Sequence, residues 1–285
     1  MRFEPVQTDD DRLNAYVALF RICFPDAQQY NLPFLRWMYR ENPEGHAFGF
    51  DAVANGRIAA HFVGLPARTM TAGAERRALL ILNVATHPDH RRKGLFAELA
   101  NRTRTAAAQA GFDLLFGVAN AQTIPGYRLK LGYQDVGGLD ARLGVGRVPP
   151  IDWPAALAAA RFFRVWTPQA LQWRLRNPAN PVDAWTLGDG VTAFAAATHY
   201  PGIRAYAERG DAGHVTSATQ PGRASFARVF VGAVPTGARR PGLSVAIPHA
   251  LRPSPLRLIF LDLHRPEYRL NGDEVLFSFL DFDAF

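Results

Sequence analysis

Two residue types are nearly missing from this chain of 285 residues: cysteine and lysine. Cys23 stands alone, so no intrachain disulfide can staple the fold, and nothing in the thiol content asks for an oxidising compartment. Lys93 and Lys130 are the only lysines, and arginine supplies the rest of a net charge of +7. That skew reads as genome-wide codon bias, and the arginines are scattered without a long basic tract, so a nucleic-acid partner is not expected. No apolar run approaches the roughly 18 residues of a membrane span. Thr8-Asp9-Asp10-Asp11 breaks any apolar leader, and a cytoplasmic location is the expectation. The histidines show no metal-site spacing, and neither a nucleophile elbow nor a P-loop occurs. What is present is a globular composition, 48% hydrophobic and 20% charged, enough for one large core or two modest ones.

Periodicity organises the first half. Leu13, Tyr16, Val17 and Phe20 fall on one face of a helix expected from about Asp9 to Cys23, capped by Thr8 or Asp9 and ended by Pro25. A short helix carries Phe34, Leu35, Trp37 and Met38 and closes at Asn42-Pro43. Strands are expected over 47–54 and 57–64 around Asn55-Gly56, then over 68–70 and 78–86 around Gly73. Beyond them the order is basic loop, helix over 95–110, buried strand over 113–118, and short helix over 123–131. This gives a β-rich stretch followed by β-α-β-α, an α/β (α+β) fold on a mixed sheet.

The second half repeats parts of the first. Leu35-Arg36-Trp37 with Asn42-Pro43 returns as Leu171-Gln172-Trp173 with Asn177-Pro178, and Ala85-Thr86-His87-Pro88 returns as Ala218-Thr219-Gln220-Pro221. Both recurrences lie about 135 residues apart, which suggests an internal duplication. The Gly- and Pro-dense stretch from Val145 to Pro154 marks the boundary, giving domains of 1–148 and 149–285.

Chemistry concentrates at one loop. His87-Pro88-Asp89-His90-Arg91-Arg92-Lys93-Gly94 follows a buried strand and opens a helix. Unpaired N–H groups at a helix start, three adjacent cations and a glycine without a Cβ suit a bound pyrophosphate. Arg91-Arg92-Lys93-Gly94-Leu95-Phe96 after Val84-Ala85-Thr86-His87-Pro88, followed by Tyr127-Arg128-Leu129-Lys130-Leu131-Gly132-Tyr133, resembles the GNAT superfamily of acyl-CoA-dependent N-acyltransferases. Phe96 departs from the small residue that usually ends the first motif, so its side chain has to turn away from the phosphates.

The resemblance implies a GNAT fold, here two GNAT-like domains in tandem, with acetyl-CoA or another acyl-CoA as donor and a small-molecule primary amine, such as an amino sugar, as acceptor. It implies that Leu82, Asn83 and Val84 meet pantetheine, with Asn120 beside that arm. Arg91, Arg92, Lys93, Gly94, Leu95 and Phe96 hold the pyrophosphate, and Tyr127 and Lys130 complete the cofactor set. The amine attacks the thioester directly, and Tyr127 is placed as the acid that protonates the departing sulfur. His61 and Glu75 are candidate bases, and the carboxylate of Phe285 is a third option. Trp37 and Tyr39 read as core or cleft-wall aromatics, and Asp262, His264, Asp281 and Asp283 as structural or solvent-facing. The second copy has Gly222-Arg223-Ala224-Ser225 in place of the basic loop. One cofactor per chain, no metal, and a second half that walls the acceptor pocket are therefore expected, in a monomer or homodimer. A CoA-binding regulatory protein without turnover is the alternative.

Overall fold

A computed structural model describes residues 1–188, 190–211, 225, 227–252 and 254–282, with the backbone alone for His249. The chain divides into two compact units. The first takes Met1–Arg68, Arg76–Asp135 and Ile259–Tyr268, and the second Thr69–Glu75, Val136–Leu258 and Arg269–Phe285. Relative to the expected division at 148, the change of unit comes earlier, and ten late residues return to the first unit. No helix among the described residues is long and apolar enough to cross a membrane.

The first unit opens with β1 (Arg2–Pro5), α1 (Asp10–Cys23) and α2 (Leu32–Leu35), the last continued by a π-helical turn over Arg36–Arg40. Then come β2 (Phe48–Ala54), β3 (Arg57–Thr71), β4 (Ala74–Thr86), α3 (Leu95–Gln109) and β5 (Leu114–Ala119). Asp9 caps α1 by accepting the Arg12 N–H at 3.0 Å, and Leu13, Tyr16, Val17 and Phe20 are buried along the predicted face. Asn55 and Gly56, at φ 50 and 75, make the two-residue turn between β2 and β3. The strands expected over 57–64 and 68–70 form a single strand that continues through Pro66 to Thr71. Ala72 and Gly73 then turn the chain with φ 52 and 80, and β4 starts at Ala74, earlier than expected.

Alternation along β2 and β3 sorts two faces. Phe62 packs among Leu79, Leu95, Leu99 and Leu115 on the side that carries α3. Its cross-strand neighbour is Phe50, whereas the next pair, Asp51 and His61, points to the other side, against Tyr16 and Phe20 of α1. β4 runs parallel to β5 through the α3 crossover, in register from Ala78↔Leu114 to Ile81↔Gly117.

The second unit contains most of β6 (Gln134–Gly138), then β7 (Asp140–Gly144), α4 (Trp153–Ala159), β8 (Phe162–Val165) and α5 (Pro168–Leu175). The strands β9 (Asp183–Thr186), β10 (Thr192–Ala197), β11 (Ile203–Arg209), β12 (Ala227–Ala233) and β13 (Ser244–Ala246) follow. Next come β14 (Arg257–Asp262), which lends residues 259–262 to the first unit beside β5, and β15 (Val275–Ser278). β9, β10 and β11 pair antiparallel and β12 then pairs parallel to β11. This repeats the order of β2, β3, β4 and β5. Asn42 and Asn177 are both buried, and each accepts the N–H two residues on, from Glu44 at 3.1 Å and Ala179 at 3.0 Å. The other recurrence, Ala218 to Pro221, lies outside the described residues, as do Gly222, Arg223, Ala224, Asp283 and Phe285.

The carboxylates expected to be structural or solvent-facing are structural where described. Asp262 accepts the N–H groups of His264 and Arg265 and pairs with the Arg265 guanidinium. Asp281 forms a capping box with Ser278 and accepts the Trp166 indole N–H at 2.9 Å.

Asp10 ties α1 to the π-helical turn by ion pairs to Arg36 and to Arg40, the latter at 2.8 Å. The Arg36 hydrogen bond is the main cause that lowers its carboxyl from 3.8 to about 2. A depressed folded value contributes stability above the unfolded pKa, and that contribution disappears as pH falls through about 2. Asp10→Asn should therefore lower the Tm at pH 7, and the difference from wild type should shrink steadily below pH 4. Thermal melts across that range provide the check.

Candidate active site

β4 and β5 stop pairing at Ile81 and Gly117, and from there the ends of the two strands run free of each other's ladder. Gly117 sits at the last close approach, where a Cβ would come within 2.7 Å of the Ile81 carbonyl oxygen. Two residues further along β4, Asn83 adopts φ 50, a left-handed conformation inside a strand. Such a residue swings its peptide groups out of the regular ladder. Leu82, Asn83 and Val84 are all half-buried here, between the covered Ile81 and Ala85.

The Asn83 side chain is held from three directions. Its Oδ1 accepts the Tyr30 hydroxyl at 2.9 Å, while Nδ2 donates to the Tyr39 oxygen at 3.2 Å and approaches the Met38 sulfur at 3.3 Å. Asparagine is among the few side chains that tolerate this backbone region. The three contacts fix the amide orientation.

The basic loop leaves β4 through a 3-10 turn, Pro88–His90. Arg91 turns back, with Nε 3.3 Å from the Thr86 carbonyl oxygen and its guanidinium beside Cys23. Burial raises the Cys23 thiol pKa, and this guanidinium opposes the shift. Lys93 bonds the Asp89 carbonyl at 2.9 Å. Arg92, at φ 60, makes no hydrogen bond or ion pair among the described residues and is exposed.

Gly94 is the N-cap of α3 at φ 75 and supplies no capping side chain, so the first-turn N–H groups face outward without a side-chain acceptor. A Cβ at Gly94 would meet nothing within 4 Å. The cradle is thus open, rimmed by cations and backed by the positive end of a 15-residue helix. These residues fit a diphosphate. Phe96 points into the core, 5.2 Å from the Tyr127 ring and 6.0 Å from Phe62, so the departure from a small residue leaves the loop clear.

Tyr127 lies on a second π-helical turn, Gly126–Lys130, and only 6% of it is exposed. Burial raises its hydroxyl pKa above the ordinary range, so the group is protonated at neutral pH. Asn120, at the end of β5, is exposed and accepts the Gln122 and Thr123 N–H groups, both at 3.1 Å, which starts the turn that delivers Tyr127. Lys130 is exposed at the end of the same turn.

The candidate bases separate. Glu75 is exposed at the hairpin end of β4 and falls within the second unit, whereas Asn83 belongs to the first. His61 is wholly buried, so it does not open onto the cleft directly. Its Nδ1 lies 2.6 Å from Asp51 Oδ1 and its Nε2 lies 3.0 Å from the Tyr39 hydroxyl. Tyr39, expected as a core or cleft-wall aromatic, is buried in the core and also bridges His61 and Asn83 through its hydroxyl. The roles of Asp51, Tyr39 and Tyr30 escape a reading by spacing, because they come from three separate segments of the chain.

Residues 5–135 match the acetyltransferase (GNAT) domain family. No curated protein matches the chain. Among solved structures, a GCN5-related N-acetyltransferase from Anabaena variabilis superposes with a TM-score of 0.61 at 12% identity, covering 92% of this chain and 73% of that one. Another from Kribbella flavida gives 0.56 at 14%, over 92% and 72%. Eis1 from Mycobacterium abscessus gives 0.55 at 12%, over 90% and 73%. The first unit, with its parted strands, uncapped α3 and basic loop, defines the class, a GNAT acetyltransferase. Residues 5–135 of this chain belong to that family, and the chemistry they carry is acyl-CoA-dependent acyl transfer.

The two glycines should respond differently to alanine. Gly94→Ala should cost about 1–2 kcal/mol, the strain of a left-handed Cβ alone. Gly117→Ala should cost more, since backbone has to move in a packed sheet. Urea unfolding of both variants decides it, and equal losses would contradict the close approach at Ile81.

Proposed function

We propose that the protein transfers an acetyl group from acetyl-CoA to a primary amine of a small molecule, with amino sugars as the first acceptors to test. The observation that carries this reading is the open, cation-rimmed N-terminus of α3 directly beyond the Asn83 bulge. Arg91, Arg92 and Lys93, with the backbone of Gly94, Leu95 and Phe96, hold the diphosphate. Leu82, Asn83 and Val84 lie along the pantetheine arm, with Asn120 and Lys130 on its far side. Acetyl-CoA supplies the thioester that the amine attacks.

Backbone N–H groups released from the ladder at the bulge polarise the thioester carbonyl, in the manner of an oxyanion hole. Tyr127 donates its proton to the departing sulfur. Its buried, protonated hydroxyl supports that role, since a phenolate could not give a proton. His61 is the base candidate that adjoins the bulge network.

We further propose that residues 149–285 descend from a second copy of the same fold. The repeated strand order and the matching turns at Asn42 and Asn177 support this. That copy binds no cofactor, and one acetyl-CoA is held per chain. Isothermal titration should give one site, and two equivalent sites would overturn the reading.

Acetyl-CoA at a hundred times its Kd should stabilise the protein by about 2.7 kcal/mol. Arg92→Ala should weaken that binding, most clearly at low salt, where an unscreened cation matters most. Tyr127→Phe should leave acetyl-CoA affinity unchanged while turnover falls about ten-fold or more. The assay is mass-spectrometric detection of acetylated products from a pool of primary amines. Wild-type turnover in the Tyr127→Phe variant would remove the acid assignment.

A further inference from the structure

The buried side of β2 and β3 holds a polar chain that a hydrophobic core does not require. Asp51 and His61 are both fully buried and face each other across the ladder, 2.6 Å apart. The hydroxyl of Tyr39, also buried, lies 3.0 Å from the other ring nitrogen. Asn83 at the bulge donates to that same hydroxyl. Tyr16 donates to the second Asp51 oxygen at 2.7 Å. Arg12 lies 3.7 Å from that oxygen and pairs with Glu4 of β1. Tyr30 is the remaining titratable group, bonded to Asn83 on the cleft side. Phe20 closes the site from α1 at 5.6 Å.

Hydrogen-bond arithmetic sets the direction of this chain. An amide NH2 can only donate, so Tyr39 oxygen accepts from Asn83 and its own proton must go elsewhere. The acceptor within reach is His61 Nε2. His61 is then the neutral Nδ1–H tautomer, with that hydrogen donated to Asp51. One lone pair on the Tyr39 oxygen stays unused among the described residues. This is the order carboxylate, imidazole, hydroxyl, in which a base acts through a hydroxyl and is oriented by an acid.

We infer that Asp51, His61 and Tyr39 form a proton relay that receives the proton shed by the attacking amine. The inference rests on the acyl-transfer reading above. As the C–N bond forms and the C–S bond breaks, the amine N–H passes its proton to the Tyr39 oxygen. Tyr39 passes its own hydroxyl proton to His61 Nε2. Asp51 balances the imidazolium charge, and the sulfur takes its proton from Tyr127. After product leaves, the imidazolium gives up its proton through Tyr39 and the Tyr127 phenolate takes one up, which restores both groups. His61 and Asp51 act through Tyr39, whose oxygen is buried at rest and meets the amine only when acceptor binding uncovers it. Burial raises the Tyr39 pKa, which keeps the bridge protonated at rest.

Tyr39→Phe removes the bridge and keeps the ring. Its kcat should fall ten-fold or more at pH 7, with acetyl-CoA Kd unchanged by titration. The deficit should narrow as pH rises toward 10, where hydroxide can take the N–H proton that the relay otherwise accepts. His61→Gln retains an acceptor for Tyr39 but cannot take up a proton, so it should show the same pH-dependent deficit. Thermal melts establish which variants fold, and Tyr39→Phe alone suffices if His61→Gln does not. A Tyr39→Phe enzyme that matches wild type at every pH, or falls short by one constant factor throughout, overturns the relay while acyl transfer stands. A wild type that acetylates no amine overturns acyl transfer, and the relay with it.

Discussion

A strand in the middle of a sheet normally spends every backbone N–H and C=O on its neighbours, and has none to offer a ligand. β4 escapes that constraint at Asn83, where a left-handed residue breaks the ladder just past the last β4–β5 pair. Holding a residue with a Cβ in that conformation costs free energy that the surroundings must offset. Here the surroundings are the Tyr30 and Tyr39 hydroxyls and the Met38 sulfur, all fixed on the segment that follows α1. The bulge, the parting of the strands and the placement of α2 with its π-helical turn are thus one linked feature. Losing all three contacts together would leave the backbone free to relax into a regular strand, whereas Tyr30 and Met38 still hold Asn83 when the Tyr39 hydroxyl alone is removed.

The basic loop was legible from sequence because its chemistry is local. Arg91, Arg92, Lys93 and Gly94 are consecutive, and their position between a buried strand and a periodic helix is visible without a fold. The relay was not legible, for a geometric reason. A two-residue turn at Asn55-Gly56 pairs Ala54 with Arg57 and Val53 with Ile58, and simple counting then sets Asp51 opposite Ala60. A bulge between Ala52 and Val53 shifts the register by one, so that Asp51 faces His61 instead. That single extra residue brings His61 opposite Asp51, within hydrogen-bond range of its carboxylate. Side-chain alternation alone cannot reveal it.

Long-range strand choice was hidden as well. Leu258, Ile259, Phe260 and Leu261 are buried and apolar, and read as a buried strand of whichever half contains them. Yet residues 259–268 belong to the first unit, with Ile259 and Leu261 in the same core as Leu115 and Tyr133. Nothing within the segment encodes which sheet receives it, since apolar packing carries little direction. The expected boundary near 148 followed from Gly and Pro density. Such density marks a change of chain direction, and a compact unit can still recruit a strand from beyond it.

Two tyrosines of the first unit, Tyr39 and Tyr127, show how burial and partners divide one chemistry into two roles. Tyr39 and Tyr127 both sit on π-helical turns, both are buried, and both have hydroxyls raised above their ordinary pKa by desolvation. π-helical turns often mark functional positions, because the extra residue redirects one side chain without breaking the helix. Desolvation alone would make the two groups equivalent. What separates them is the neighbour. The Tyr39 hydroxyl has an imidazole acceptor held by a buried carboxylate, so a proton arriving at its oxygen has somewhere to continue. The Tyr127 ring packs edge-to-face against Phe96 and Tyr133, and its hydroxyl makes no hydrogen bond among the described residues. No base waits behind it to receive a second proton. Such a group can give its own proton to a basic sulfur but cannot carry another group's away. Acid and base are thus assigned by what lies behind each hydroxyl.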